Sequence, residues 1–183
     1  MKTFTLLLCL LCLSLRAEES RHRVFGLSDP GRELDLREQI KAVPELELAA
    51  LDLETAVATF RYDVTMLLPH AKSPPTAERI AQRLDELVKN ASKNPVSGHV
   101  TFSLKPLSDV PKDQLQKIEI QLGLLDCKGC RYTAYLACAK LDGVENVIVS
   151  ETSLVTAWVQ PSKTTREALI AALKKVRIGL PTP

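Results

Sequence analysis

Polar and apolar residues alternate from Lys117 to Leu124 (KIEIQLGL), and this period of two predicts a strand. Asp126 to Cys130 follows as a loop. Between Tyr132 and Lys140 the spacing becomes helical, with Ala134, Ala137, Cys138 and Leu141 on one face and Asp142-Gly143 as the stop. Residues 144–150 (VENVIVS) predict a strand, Glu151-Thr152-Ser153 a turn, and residues 154–159 (LVTAWV) the return strand, ended by Pro161. Ser162 is the expected cap of a helix over 163–174, with Ala168, Leu169, Ala172 and Leu173 facing inward. A short strand over 176–180 completes the order βαββαβ.

The first half repeats that order more faintly. A strand is expected over 23–27, a loop over 28–31 (SDPG), and a helix from Arg32 to Ala42, stopped by Pro44. Residues 46–51 and 56–62 read as a hairpin. Thr76 caps a helix to about Ala91, with Ile80, Leu84, Leu87 and Val88 on its apolar face, and 99–104 closes as a strand. Leu46 to Arg61 (LELAALDLETAVATFR) parallels Val144 to Val159 (VENVIVSETSLVTAWV): strand, Glu-Thr turn, β-branched return. Similarity at a spacing of about a hundred residues points to a duplicated unit. The fold class that follows is α+β, with two βαββαβ sandwiches in tandem over 18–106 and 114–183, joined through Pro106 to Asp113 (PLSDVPKD).

The start of the chain stands apart from this pattern. Lys2 precedes an apolar or small run from Phe4 to Leu15, and Ala17 precedes charged residues. Residues 1–17 read as a secretory signal peptide, too short to span a membrane. The mature chain is thus expected to be exported, periplasmic or secreted, and to carry no membrane span. Of 24 basic and 22 acidic side chains, the leader holds two basic ones, Lys2 and Arg16. A near-neutral mature chain argues against nucleic acid as a partner, which calls for a basic face. The first unit is net acidic and the second net basic, an asymmetry that favours docking between them.

Cysteine placement is the pointed chemical signal. Cys9 and Cys12 leave with the leader; Cys127, Cys130 and Cys138 remain, close together in the second half. An odd, clustered set is not a disulfide framework. Cys127-Lys-Gly-Cys130 lies between a strand and a helix, where the helix N-terminus, Lys128 and Arg131 all favour thiolate and Asp126 opposes them. Such a dithiol binds a soft ion, exchanges electrons, or closes as a disulfide. His22, His70 and His99 all lie in the other half, so the roughly four ligands of a closed zinc site are not at hand. A two-coordinate soft ion, Cu(I) or Hg(II), suits two thiolates better, with Zn(II) behind them. Cys138, over two helical turns on, reads as core packing. No Ser/His/Asp set, phosphate loop or carboxylate pair stands out, so no enzyme activity is expected.

The strand KIEIQLGLLD, the Cys127-Lys-Gly-Cys130 pair, the Leu141-Asp-Gly-Val144 turn into VIVS, the LVTAWV return and the helix EALIAALKK together resemble the heavy-metal-associated (HMA) domain family. That family contains copper chaperones and mercuric-ion periplasmic binding proteins. The resemblance implies a ferredoxin-like fold, Cys127 and Cys130 as metal ligands, and a protein partner that receives the metal. Leu124-Leu125-Asp126 stands where the family usually has Gly-Met-Thr. The first half is similar by topology only. Ser28-Asp-Pro-Gly31 occupies the place of the cysteines, so it reads as a degenerate copy kept for packing or partner binding. The competing expectation is a non-catalytic interaction module whose dithiol is a disulfide or a vestige.

Overall fold

The computed structural model describes residues 17–71 and 73–178. The predicted leader therefore lies outside the described residues apart from Ala17. The first unit contains strand β1 (Ala17–Phe25), helix α1 (Arg32–Lys41), strands β2 (Leu46–Asp52) and β3 (Val57–Asp63), helices α2 (Val64–Leu67) and α3 (Ala77–Ala91), and strand β4 (Ser103–Lys105). The second contains a 3-10 turn (Lys112–Gln114), strand β5 (Gln116–Gln121), helix α4 (Lys128–Ala139), strands β6 (Val144–Val149) and β7 (Leu154–Val159), and helix α5 (Arg166–Lys175). The sheets are antiparallel, ordered β2-β3-β1-β4 and, among the described residues, β5-β7-β6. In each unit the first strand sits beside the third, the arrangement of a ferredoxin-like split βαβ. The structure is α+β with two such units in tandem.

Two cores follow from the two periodicities. Alternate residues of β3 (Ala58, Phe60, Tyr62) meet Leu36 and Ile40 of α1 and Leu84, Leu87 and Val88 of α3. Ile118 and Ile120 of β5, with Val155, Ala157 and Val159 of β7, meet Ala134 and Cys138 of α4 and Leu169 and Leu173 of α5. Thr76 caps α3 as expected, its hydroxyl accepting from the Arg79 N–H at 3.3 Å.

The two units share a turn geometry. The two four-residue turns, Leu53–Ala56 and Ser150–Ser153, each end on a non-glycine residue in the left-handed region, Ala56 at φ 54° and Ser153 at φ 64°. Each of these residues then offers its carbonyl to the end of its unit's first strand: Val24 N–H donates to Ala56 at 2.7 Å, Leu122 N–H to Ser153 at 3.0 Å.

Several boundaries differ from the sequence expectation. β1 starts at Ala17, because Ala17 to Arg23 pair with Val57 to Asp63 in unbroken register; the polar run Glu18-Glu19-Ser20 has no hydrophobic alternation to reveal this. α4 begins four residues earlier than expected, with Cys127 itself as N-cap. The cap of α5 is Thr165, whose hydroxyl accepts from Ala168 N–H at 3.3 Å, and not Ser162. Thr164 is meanwhile buried and donates to the Asp142 carbonyl. β4 covers Ser103–Lys105 and not the expected 99–104. The expected closing strand over 176–180 is a turn over its described part: Val176 caps α5, Arg177 takes φ 58°, and Ile178 returns to the core. Leu180 lies outside the described residues.

The units are docked. Val149 N–H at the end of β6 donates to the Ser28 carbonyl at 2.8 Å. The Asn146 side-chain amide donates to the carbonyls of Leu53 (2.7 Å) and Glu54 (3.0 Å) in the β2–β3 turn. Gly26 N–H donates to the Tyr135 hydroxyl at 2.7 Å, and Arg23 pairs with Glu145. β6 is an edge strand among the described residues, and the first unit covers that edge. Lys112 of the basic unit pairs with Asp52 and Glu54 of the acidic one, as their net charges favour, while the Arg23–Glu145 pair runs in the opposite sense.

Candidate metal centre

Cys127 and Cys130 occupy the cap and first turn of α4 because Cys127 has extended backbone (φ −102°, ψ 138°) and its sulfur accepts from the Cys130 N–H at 2.9 Å. A sulfur here fills the place that a serine or aspartate oxygen takes in other helix caps. Their Cα atoms stand 5.3 Å apart and the two sulfurs are joined as a disulfide. Cys127, Lys128 and Gly129 are exposed, and Cys130 packs its inner side against the core.

The loop that carries the pair is held from below. Leu125 N–H donates to the Ser153 hydroxyl at 2.8 Å, and the Arg131 guanidinium donates to the Leu125 carbonyl at 3.1 Å. Ser153 belongs to the β6–β7 turn, so its left-handed backbone and its side chain both serve the site. Arg131, expected as a charge near the thiols, is also a brace. Neither role of Arg131 nor that of Ser153 follows from sequence spacing, because both depend on which turn lies under the loop.

Cys138 is fully buried and is not joined to the other two. Burial pushes its thiol up from 9.0 to about 12. It therefore stays protonated and is a small apolar residue of the core. In the leaderless chain isolated without reductant, a thiol reagent at pH 8 is expected to find almost no free thiol, and one per chain after denaturation. Two fast-reacting thiols should appear on mild reduction. A fast native thiol before reduction would contradict the closed pair.

Among the described residues no three His, Cys, Asp or Glu side chains cluster as a metal site. The first unit does, however, send one histidine toward α4. The His99 ring lies edge-on to Tyr132, centroids 6.1 Å apart; Tyr132 stacks on Tyr135 at 5.8 Å, and Tyr135 meets Phe25 at 5.5 Å. This aromatic column ties the helix behind Cys130 to the first unit. The corresponding loop of the first unit carries a carboxylate where the second carries a thiol: Asp29 accepts from Gly31 N–H at 3.0 Å ahead of α1. Its neighbour Ser28 is buried and holds the end of β6, so this loop packs the interface.

No protein-family model matches the chain, and no curated protein matches it. Solved structures do, two of them from the same protein. One is the water-soluble region of the P-type ATPase CopA from Bacillus subtilis. The other is the solution structure of the N-terminal soluble domains of Bacillus subtilis CopA. Each is 17% identical with a TM-score of 0.34; the match covers 90% of this chain and 89% and 92% of theirs. The strand order within each unit, and not these loose superpositions, carries the fold assignment.

Proposed function

We propose that this protein is exported and binds or transfers a soft metal ion, with Cys127 and Cys130 as the two ligands in their reduced form. The observation that carries the reading is the position of both sulfurs in the exposed first turn of α4, with Cα atoms 5.3 Å apart over a braced loop. One ion then spans two thiolates without a change of backbone. Two-electron reduction of the disulfide by a thiol donor supplies those thiolates, and metal binding releases their protons. The helix N-terminus lowers the cost of the negative charge. Two thiolates with no third ligand favour Cu(I), or Hg(II), over tetrahedral zinc. Handover proceeds by ligand exchange: an incoming thiolate displaces one cysteine while the other retains the ion. In this role the chain is a carrier and not a catalyst.

The test is metal stoichiometry. The leaderless chain, reduced and free of oxygen, is expected to take one Cu(I) per chain against a competing chelator. Cys138→Ala should keep that ion, and the double variant Cys127→Ala/Cys130→Ala should lose it. Stoichiometric binding by the double variant, or none by reduced wild type, would overturn the reading. The closed disulfide favours one second reading, a non-catalytic interaction module whose dithiol stays oxidised. A pair that remains closed under the reducing conditions that open ordinary exposed disulfides would support it.

A further inference from the structure

β1 is nine residues long but β4 only three, and β4 pairs with β1 only at Arg23, Val24 and Phe25. Over Ala17 to His22 the other edge of β1 has no partner strand among the described residues. Pro106, which has no N–H to continue the ladder, follows the end of β4. Beside the free edge runs a groove under α3, with an apolar lining from Tyr62, Ala77, Ile80, Ala81, Leu104 and Leu107. A free strand edge next to apolar surface is a template for strand addition.

The sequence of that edge specifies its occupant. Glu19 faces the open side of the sheet, where it pairs with Arg61 at 2.8 Å, and Arg21 shares that side by alternation. His22 faces the helix side, with its ring 6.4 Å from Phe60, and Glu18 shares that side. Directly opposed residues of an antiparallel pair project to the same face. Two copies related by a two-fold at Ser20 therefore set Glu19 against Arg21, and Glu18 against His22, twice each. Shifting the two-fold to Glu19 or to Arg21 sets like charges opposite each other. We propose that two copies of this chain associate through antiparallel pairing of their Glu18–His22 segments, centred on Ser20, into one continuous sheet.

The test uses the leaderless chain from Glu18, whose cores contain no residue before Val24, with the disulfide intact and chelator present so that no metal bridges the copies. Sedimentation velocity across micromolar concentrations is expected to show a monomer–dimer equilibrium. Arg21→Glu and Glu19→Arg should each weaken it about tenfold or more, since each turns two attractive oppositions into repulsive ones. Mixing the two variants should restore association, because only in the mixed pair does every position 19 face a position 21 of opposite charge. A Ser20→Cys variant should cross-link to a covalent dimer under mild oxidation. A wild type that stays monomeric, an Arg21→Glu variant that associates as well as wild type, or a mixture no tighter than either variant would overturn the proposal.

Discussion

Replacing Gly26 with alanine is expected to cost about 3 kcal/mol or more of stability, the sum of left-handed strain and forced repacking. Gly26 takes φ 108°, and a Cβ there would stand 2.1 Å from the Thr101 carbonyl oxygen and 3.0 Å from the Phe102 ring. A backbone oxygen cannot swing aside as a side chain does, so β1 must separate from the segment that leads into β4. The same residue donates to Tyr135 in the other unit, and the displacement is felt across the interface. Urea unfolding measures the loss. Gly129→Ala is the control: its nearest neighbour is the Cys127 sulfur at 3.9 Å, and its change should stay under about 1 kcal/mol. Equal midpoints for Gly26→Ala and wild type would remove the steric argument.

Phe60→Ala is expected to cost about 3–5 kcal/mol, the usual range for a buried phenylalanine. Phe60 is fully buried in the first core. With total stabilities of about 5–15 kcal/mol, such a loss is decisive for a domain. It also tests whether the units stand or fall together. Trp158, the single tryptophan, belongs to β7 of the second unit and lines the crevice against Glu54 and Lys112. If docking couples the units, Trp158 fluorescence should shift at the same lowered midpoint as the loss of far-ultraviolet ellipticity. A tryptophan transition left at the wild-type midpoint would show that the second unit unfolds alone.

The interior of each unit was legible where burial imposes a period. Ile118 and Ile120 alternate with polar residues and Leu84, Leu87 and Val88 recur at helical spacing; the helix formed as expected, and the strand formed but ends at Gln121, three residues short of Leu124. The failures lie where polar groups settle the structure. Glu18-Glu19-Ser20 belongs to a strand because β3 pairs with it, a long-range fact that no local pattern carries. Cys127 caps α4 with a sulfur, which residue preferences do not favour, so the helix was expected too late. Thr164 and Thr165 outcompete Ser162 because one bonds Asp142 and the other the helix end. The dithiol itself was plain from its spacing. The brace beneath it was hidden, because Ser153 and Arg131 act through backbone groups of a loop defined only by the folded chain. Docking was suggested by the charge asymmetry, but the contacts that make it were hidden for the same reason: Asn146, an ordinary polar residue in a strand, makes two bonds across it.

The cover that the first unit places over the β6 edge has a consequence for the order of events in the chain's life. The contacts that form it join residues about a hundred positions apart: Ser28 with Val149, Leu53 with Asn146. Contacts of that range close late, after each unit has gathered its local pairs. The shielding half is also the half synthesised first. By the time β6 emerges, the Ser28 carbonyl that accepts its Val149 N–H is already synthesised, and the interval in which that strand could recruit a stranger is short. The cysteine-free unit is thus in place before the edge strand that it covers.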